Sequence, residues 1–301
     1  WGGRMDFLST DTLRGPIHSN DALNIRGTPV FEGRVTSPHN WIARSWDANP
    51  QFAGGANFNA PNKPLPTGTD ISNIATAAAA SGLKFDYRIE VELYAQLSGR
   101  DTLQMARIRE TNAAETYWNA WQTYNVSETN GVISTPSRID IYGQVADQVT
   151  VHSGLLIEID GDLRYFDDPR NNPDSRNMLG LVSEGDVRVD SRAHSYEGSQ
   201  DVDIQANIMA LGSMFYAEDY WGSNLGNINL YGGLVQSNKG PVSIRYTDGR
   251  IFRGYDRNYH YDPRFDENAP PHYPRETIYS VVYWKDKIVN KPKSSFNEQI
   301  N

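Results

Sequence analysis

Three groups of residues in this chain carry side chains that can do chemistry. The first is His18-Ser19-Asn20-Asp21, which holds the residue types of a hydrolytic triad. A triad needs serine, base and orienting acid brought together beside an oxyanion hole. Neighbours on an extended strand point to opposite faces, so His18 and Ser19 do not readily share a proton there. A corner turn, with Ser19 and Asn20 hydrogen-bonding the backbone, suits the same residues and is the preferred reading. The second group is the acid pairs Asp160 with Asp162 and Asp201 with Asp203, each two residues apart and therefore on one face of a strand. Glycoside hydrolysis needs two carboxylates at a set separation with one kept protonated. Calcium-assisted lyases need an acid cluster and a basic residue in an open groove. Acids alternating with apolar residues also describe a solvated sheet face, which is the reading preferred for both pairs. The third group is the loop Asp167-Asp168-Pro169-Arg170-Asn171-Asn172. Its oxygens make Asp167 and Asp168 the preferred calcium ligands if calcium is used, with Asp160 and Asp162 as further candidates. The loop lacks the spaced ligand ladder of an EF-hand, so no cofactor and no catalytic residue are expected.

The elements that position these groups are short strands closed by glycine. Leu23-Asn24-Ile25-Arg26-Gly27 is followed by Val30-Phe31-Glu32-Gly33, and far downstream come Ile139-Asp140-Ile141-Tyr142-Gly143 and the alternating run 155–161. Gly185 to Val189, Val202 to Ala206 and Gly226 to Gly232 continue the series. Each alternates with period two between turn residues. Strands this short do not make a stable sheet as isolated hairpins, and Asp248-Gly249 is one of few hairpin-type turns. Stacking them as coils buries one apolar row per face along a common axis. The intervals Ile139–Ile157 and Leu163–Leu181 both suit one coil. The expected fold is all-β, a parallel β-solenoid with a minor helical insertion; an antiparallel sandwich carries the same alternation and is the alternative.

Residues 1–50 are read as the first coils, 51–130 as an insertion on the flank, 131–250 as the main solenoid and 251–301 as a cap and tail, all within one structural domain. Residues 51–69 are rich in Pro, Asn and Gly and read as a loop. Asp70 is placed to cap a helix that runs to Ala80 and stops at Gly82. Phe85, Tyr87, Ile89, Val91 and Leu93 then share one face of a strand, and 102–124 fits either helix or strands. Near the end, Tyr255, Tyr259, Tyr261, Phe265, Tyr273, Tyr279, Tyr283 and Trp284 sit among four prolines. Rings and prolines cover a terminal coil edge well, because they bury area and refuse strand pairing.

The balance of 28 Lys and Arg against 37 Asp and Glu gives a net charge of −9 with no basic stripe, so neither nucleic acid nor an anionic membrane is an expected partner. The chain has no cysteine, which removes thiolate metal sites and cysteine nucleophiles. No apolar run reaches the length of a membrane span. A chain that opens on Trp1-Gly2-Gly3 reads as a mature or trimmed form. Asn125-Val126-Ser127 matches a glycosylation sequon, a match frequent by chance.

The run Gly15-Pro16-Ile17-His18-Ser19-Asn20-Asp21, followed by Ile25-Arg26-Gly27-Thr28-Pro29-Val30-Phe31-Glu32-Gly33-Arg34-Val35, resembles the opening of a bacterial exported β-solenoid family of uncharacterised function. Members of that family are often carried behind type IV pilin-like N-terminal segments. Leu179 to Gly185, Ile204 to Gly212 and Tyr261-Asp262-Pro263-Arg264 before Pro270-Pro271 fit the same family, while 50–130 fits it more loosely. The resemblance implies export, a surface or pilus-associated location and no established catalytic activity. The pilin-type apolar helix is not among these residues.

The expected function is therefore a secreted or cell-surface structural or adhesive protein, pilin-like or a filament subunit. The alternative is a carbohydrate-binding or polysaccharide-cleaving β-helix. Expected partners are further copies of the chain or other surface and pilus components, with polysaccharide as another candidate. Trp41, Trp46, Tyr255, Tyr259, Tyr261 and Tyr273 are the candidate interface residues, since rigid aromatic rings anchor interfaces. The same rings also serve as cap within one subunit.

Overall fold

A computed structural model describes residues 6–66, 68–193, 200–220, 224–246 and 250–275. Trp1-Gly2-Gly3, the turn at Asp248-Gly249, the aromatic residues Tyr279, Tyr283 and Trp284, and the tail 291–301 lie outside those residues. The described chain is all-β apart from one α-helix and two short 3-10 turns. No described helix is long and apolar enough to cross a membrane.

The chain opens with nine two-residue strands. They are β1 (Asp6–Phe7), β2 (Thr12–Leu13), β3 (Ile17–His18), β4 (Asn24–Ile25) and β5 (Val30–Phe31). After these come β6 (Val35–Thr36), β7 (Ile42–Ala43), β8 (Gln51–Phe52) and β9 (Ala56–Asn57). They pair in three parallel ladders, β1-β4-β7, β2-β5-β8 and β3-β6-β9. Phe7, Leu23, Ile25, Phe31 and Val35 fill the space between the ladders. Phe7, Phe31, Phe52 and Phe58 form a continuous ring stack with centroids 5.1, 5.1 and 5.5 Å apart. Gly15, Gly33 and Gly54 superpose at one corner, where a Cβ on Gly33 would lie 1.8 Å from the Gly15 carbonyl oxygen. Only glycine lets the three backbones approach so closely.

Helix α1 (Gly68–Ser81) follows, with Ile74, Ala77 and Ala78 packed on Val132, Val182, Met209 and Tyr273. It starts two residues before Asp70, so this carboxylate lies in the first turn, where it faces the positive helix end. A second group of strands then begins with β10 (Leu83–Lys84), β11 (Ile89–Ser98), β12 (Asp101–Glu110), β13 (Gln122–Asn125) and β14 (Val132–Thr135). It continues with β15 (Ile139–Val145), β16 (Gln148–Ser153), β17 (Leu156–Tyr165), β18 (Met178–Ser183) and β19 (Asp186–Val189). It ends with β20 (Val202–Ala217), β21 (Asn224–Lys239), β22 (Ser243–Arg245) and β23 (Ile251–Tyr261). One parallel wall is β10-β14-β16-β18 and the other is β11-β15-β17-β19. Long β20 joins them, pairing with β18 through Asn207–Ala210 and with β19 through Phe215–Ala217. Strands β21 and β23 stack on it in turn, again parallel. Ile133, Val151 and Leu181 from one wall meet Ile141, Ile159 and Val189 from the other in a single buried core. Among the described strands, antiparallel pairing is confined to the meander β11-β12-β13 and the pair β22-β23, with one isolated antiparallel bridge between Thr111 and Trp118.

Three boundaries differ from the sequence reading. Gln51–Phe52 and Ala56–Asn57 complete the N-terminal ladders, and β10 and β11 pair in parallel with β14 and β15. The span 51–130 is therefore not an external insertion, because the row Ile89, Val91, Leu93 needs the same core as Ile139 and Ile141. Residues 251–261 form a strand of the main sheet instead of a cap. Leu163 pairs with Gly143 and Ile204 whereas Leu181 pairs with Val151 and Ile208, so that interval is not one coil.

Order in space also departs from order in sequence. Arg14 bridges His260 in parallel, and the Tyr261 amide donates to the Arg14 carbonyl at 3.0 Å. Arg257 pairs with Asp11 at 3.6 Å, and Lys239 Nζ reaches the Asp6 carbonyl at 3.3 Å. The segment that carries β1, β2 and β3 thus lies against the last described strand, β23. The chain then returns along the flank, where Asn20 clamps Lys63 by two hydrogen bonds of 2.8 Å.

Candidate functional site

The densest chemistry lies on the outward face of the second wall. Ile89, Ile139, Ile157 and Val187 point into the core, so the next residue on each strand points out. Parallel register sets Glu90, Asp140, Glu158 and Arg188 in one row across β11, β15, β17 and β19, with Arg109 of β12 beyond Glu90. Asp140 accepts from Arg88 Nη2 and Arg138 Nε at 2.6 Å each. Glu158 is paired by Arg138 and by Arg188, the latter at 2.8 and 2.9 Å. Arg188 also reaches Glu218 at 3.2 Å, and Arg109 donates to Glu90 at 2.6 Å. Trp118 and Trp121 interleave with these guanidiniums. Arg88 and Arg109 lie 5.1 and 4.8 Å from the Trp118 ring, and Arg109 and Arg107 lie 4.7 and 5.1 Å from Trp121. Although they sit on an outward face, Asp140 is 2% and Glu158 0% exposed.

Asp160 stands apart within this group. Burial pushes its carboxyl up to about 7, and the charges of Asp140, Asp190 and Glu90 add to the shift against Arg138. Its Oδ1 is buried without a hydrogen bond. Oxygens of Asp140, Glu158 and Asp160 lie within 4.8 Å of one another, as do those of Glu158, Asp190 and Glu218. A neutral carboxyl beside ionised ones has the elements of an acid–base pair. Asp140 and Glu158 are sealed under arginine, however, so a substrate reaches neither of them. The oxygens suit a hard cation, yet Arg88, Arg138 and Arg188 already supply the countercharge, and a cation would have to displace them.

The four acids read from sequence as calcium ligands do not converge. A register shift between Ile141/Gly143 and the facing strand leaves Asp160-Gly161-Asp162 in a bulge. Asp162 there pairs with Arg164 and accepts the Asp203 amide at 2.9 Å. The Asp167 carboxylate accepts from Asn172 at 2.7 Å, while its backbone amide donates to Asn177 at 2.8 Å and its carbonyl accepts from Ser175 at 2.5 Å. Asp168 is gripped by Arg170, which holds its carboxyl down at about 2. It also accepts from Gln205 at 2.9 Å. Asp201 and Asp203 accept from Asn227 and Asn229 of the next strand at 2.8 and 2.7 Å.

His18 lies between Thr36 Oγ1 at 2.9 Å and Asn20 Oδ1 at 2.8 Å, while Ser19 Oγ accepts the Asp21 amide at 3.2 Å in a corner turn. Of the six interface candidates, Tyr255 and Tyr273 are buried, and Tyr259 packs on Phe215 at 6.5 Å. Tyr261 donates to Asp266 at 2.6 Å, and Trp41 packs on the N-terminal core. Trp46 is 99% exposed.

One constellation has no counterpart in the sequence reading. Ser134 Oγ lies 2.9 Å from His152 Nδ1, and His152 Nε2 lies 3.3 Å from Glu184 Oε1, off the hydrogen-bond line. A proton on Nε2 facing Glu184 leaves Nδ1 to accept the serine hydroxyl, a tautomer inferred from these partners. Burial lowers the imidazole pKa while Glu184 opposes. With Ser134 2% and His152 3% exposed, the hydroxyl is closed to substrates; it satisfies His152 Nδ1, while Nε2 is left facing Glu184 without a hydrogen bond. The spacing of 18 between Ser134 and His152 was the available signal, since it repeats the His18–Thr36 interval.

Comparison of the chain with protein-family models, with curated proteins and with solved structures finds no match.

Proposed function

We propose that the chain is a parallel β-solenoid acting as a secreted or cell-surface structural or adhesive component, non-enzymatic and pilin-like or filament-forming, as in the exported family it resembles. The observation that carries this reading is the use made of the charged residues. Arg88, Arg138 and Arg188 bind carboxylates across neighbouring strands, so the polar chemistry of the second wall holds one strand to the next. Such cross-strand pairs add cohesion along a stack of coils. The parallel ladders with a common inward row support the solenoid part. In the same reading the chain needs no cofactor, and calcium at Asp167 or Asp168 would compete with Asn172, Arg170 and Gln205 for the same oxygens. Immunolabelling of the source cells tests the location. Labelling of intact cells is expected, and labelling only after permeabilisation refutes it.

The second reading, a carbohydrate-binding or polysaccharide-cleaving protein, is favoured by one observation, the neutral-leaning carboxyl of Asp160 beside ionised acids. Turnover of a polysaccharide that disappears in Asp160→Asn would establish it over the first.

A further inference from the structure

We propose that the open end of the N-terminal ladders, residues 42–57, is the interface through which two copies of this chain pair, rung against rung about a two-fold axis. The inference rests on the stacked-coil reading above and names the partner of that end. Strands β7, β8 and β9 each terminate a ladder, and among the described residues nothing pairs with their far edges. Ile42 and Arg44 donate their amides inward to Leu23 and Ile25 at 2.8 Å. Amides alternate along a parallel strand, so the Ala43 N–H faces away from β4. On β9, Gly55 and Asn57 turn their carbonyls inward to Val35 and Ser37 at 3.0 Å, which turns Ala56 outward in the same way. Unpaired edge groups of this kind are templates for another strand.

The geometry selects the occupant. A lone strand or a flat sheet matches only one of three short edges set around a closed rung. Matching all three at once takes another three-sided rung of the same perimeter, and this chain carries one. The opposite end of the stack has a different form, because β12 and β13 lie antiparallel over β11. Contact is therefore like end to like end, an isologous arrangement that closes at two copies. Charge permits it: residues 42–57 contain one cation, Arg44, and one anion, Asp47, in a chain of net charge −9. Pairing this end avoids the like-charge repulsion that the rest of the surface would bring. Trp46, 99% exposed, and Ile42, 38% exposed, supply apolar anchors on the same rung.

Sedimentation velocity of the full chain across the micromolar range tests the proposal. The wild-type chain is expected to dimerise. Ala43→Pro removes only an outward N–H, and Trp46→Glu places two like charges across the axis. Each is expected to weaken dimerisation at least about tenfold, with the thermal midpoint of the dilute monomer unchanged. Should Ala43→Pro disturb the fold, Trp46→Glu still decides. Three results would overturn the interface: a monomer at every concentration, a dimer that both variants leave intact, or a dimer that forms only once residues 276–301 are deleted. The last would mean that the chain covers its own edge. A monomer that still labels on intact cells sinks the interface alone, whereas a dimer confined to permeabilised cells sinks the surface reading alone.

Discussion

Asp160→Asn is expected to stabilise the protein at alkaline pH and to leave it unchanged at acidic pH. The Asp160 carboxyl is raised from 3.8 to about 7, chiefly by burial and then by Asp140, Asp190 and Glu90. Above pH 7 the group is charged in both the folded and unfolded chain, so the fold bears the whole cost of an ion it disfavours. As pH falls from about 7 towards 4, the folded protein takes up the proton first and the cost is relieved. Below 3.8 both states are neutral and nothing remains. The shift corresponds to roughly 4 kcal/mol. Arg138 can lean towards whichever carboxylate is charged, so about 2–4 kcal/mol is the range to expect from experiment. Asparagine keeps the shape and removes the charge. Urea unfolding at pH 8 should show Asp160→Asn the more stable by that amount, and at pH 4.5 the gap should shrink to about 1 kcal/mol or less. A variant less stable at pH 8, or a gap of equal size at both pH values, would refute the argument. The first outcome would mean that a partner stabilises the carboxylate, and the second that the difference does not come from its ionisation.

Glu158→Ala should cost about 3–5 kcal/mol in chemical denaturation, because Arg138 and Arg188 lose a buried anion. Gly33→Ala should open the N-terminal ladders to limited proteolysis and cost about 3 kcal/mol, since its methyl meets the Gly15 carbonyl at 1.8 Å. His152 acts on pH in the sense opposite to Asp160. Its lowered pKa makes the folded state the poorer proton acceptor, so stability falls as pH drops through 6.5 and the loss is complete below the folded value. His152→Gln should flatten that part of the stability–pH curve. Tyr273→Phe removes a buried hydroxyl without a hydrogen bond and should be neutral or stabilising by up to about 1 kcal/mol in thermal unfolding.

The strand type and much of the inward row were legible in the sequence, and so was the Ile139–Ile157 step, because only the short strand β16 and the tight turns on either side of it separate those two strands. The reading failed where loops change that spacing. The segment between β17 and β18 moves Leu181 to the other wall, so the equal spacing from Leu163 was accidental. A 16-residue strand that serves both walls, as β20 does, has no signature in alternation alone. The acids followed the same rule. Asp160 stood out as a candidate, yet the groups that perturb it come from strands distant in sequence, and no local pattern announces Glu90 or Asp190 as its neighbours. Aromatic content was visible too, but not the division that buries Tyr255 and Tyr273 and leaves Trp46 in solvent.

The contact of the first coil with β23 has a consequence for the order of folding. During synthesis Asp6 to Asn57 emerge long before Ile251 to Tyr261, so the three N-terminal ladders wait with both edges open until β23 is made. Closure then joins residues far apart in the sequence, a class of contact that is slow for a polymer to find. The Gly15 corner against Tyr261, the Arg257–Asp11 ion pair and the Lys239 contact with Asp6 therefore act as a late latch. Until that latch shuts, strands β1, β2 and β3 offer an edge to any neighbouring chain, so folding is exposed to misassembly up to that step.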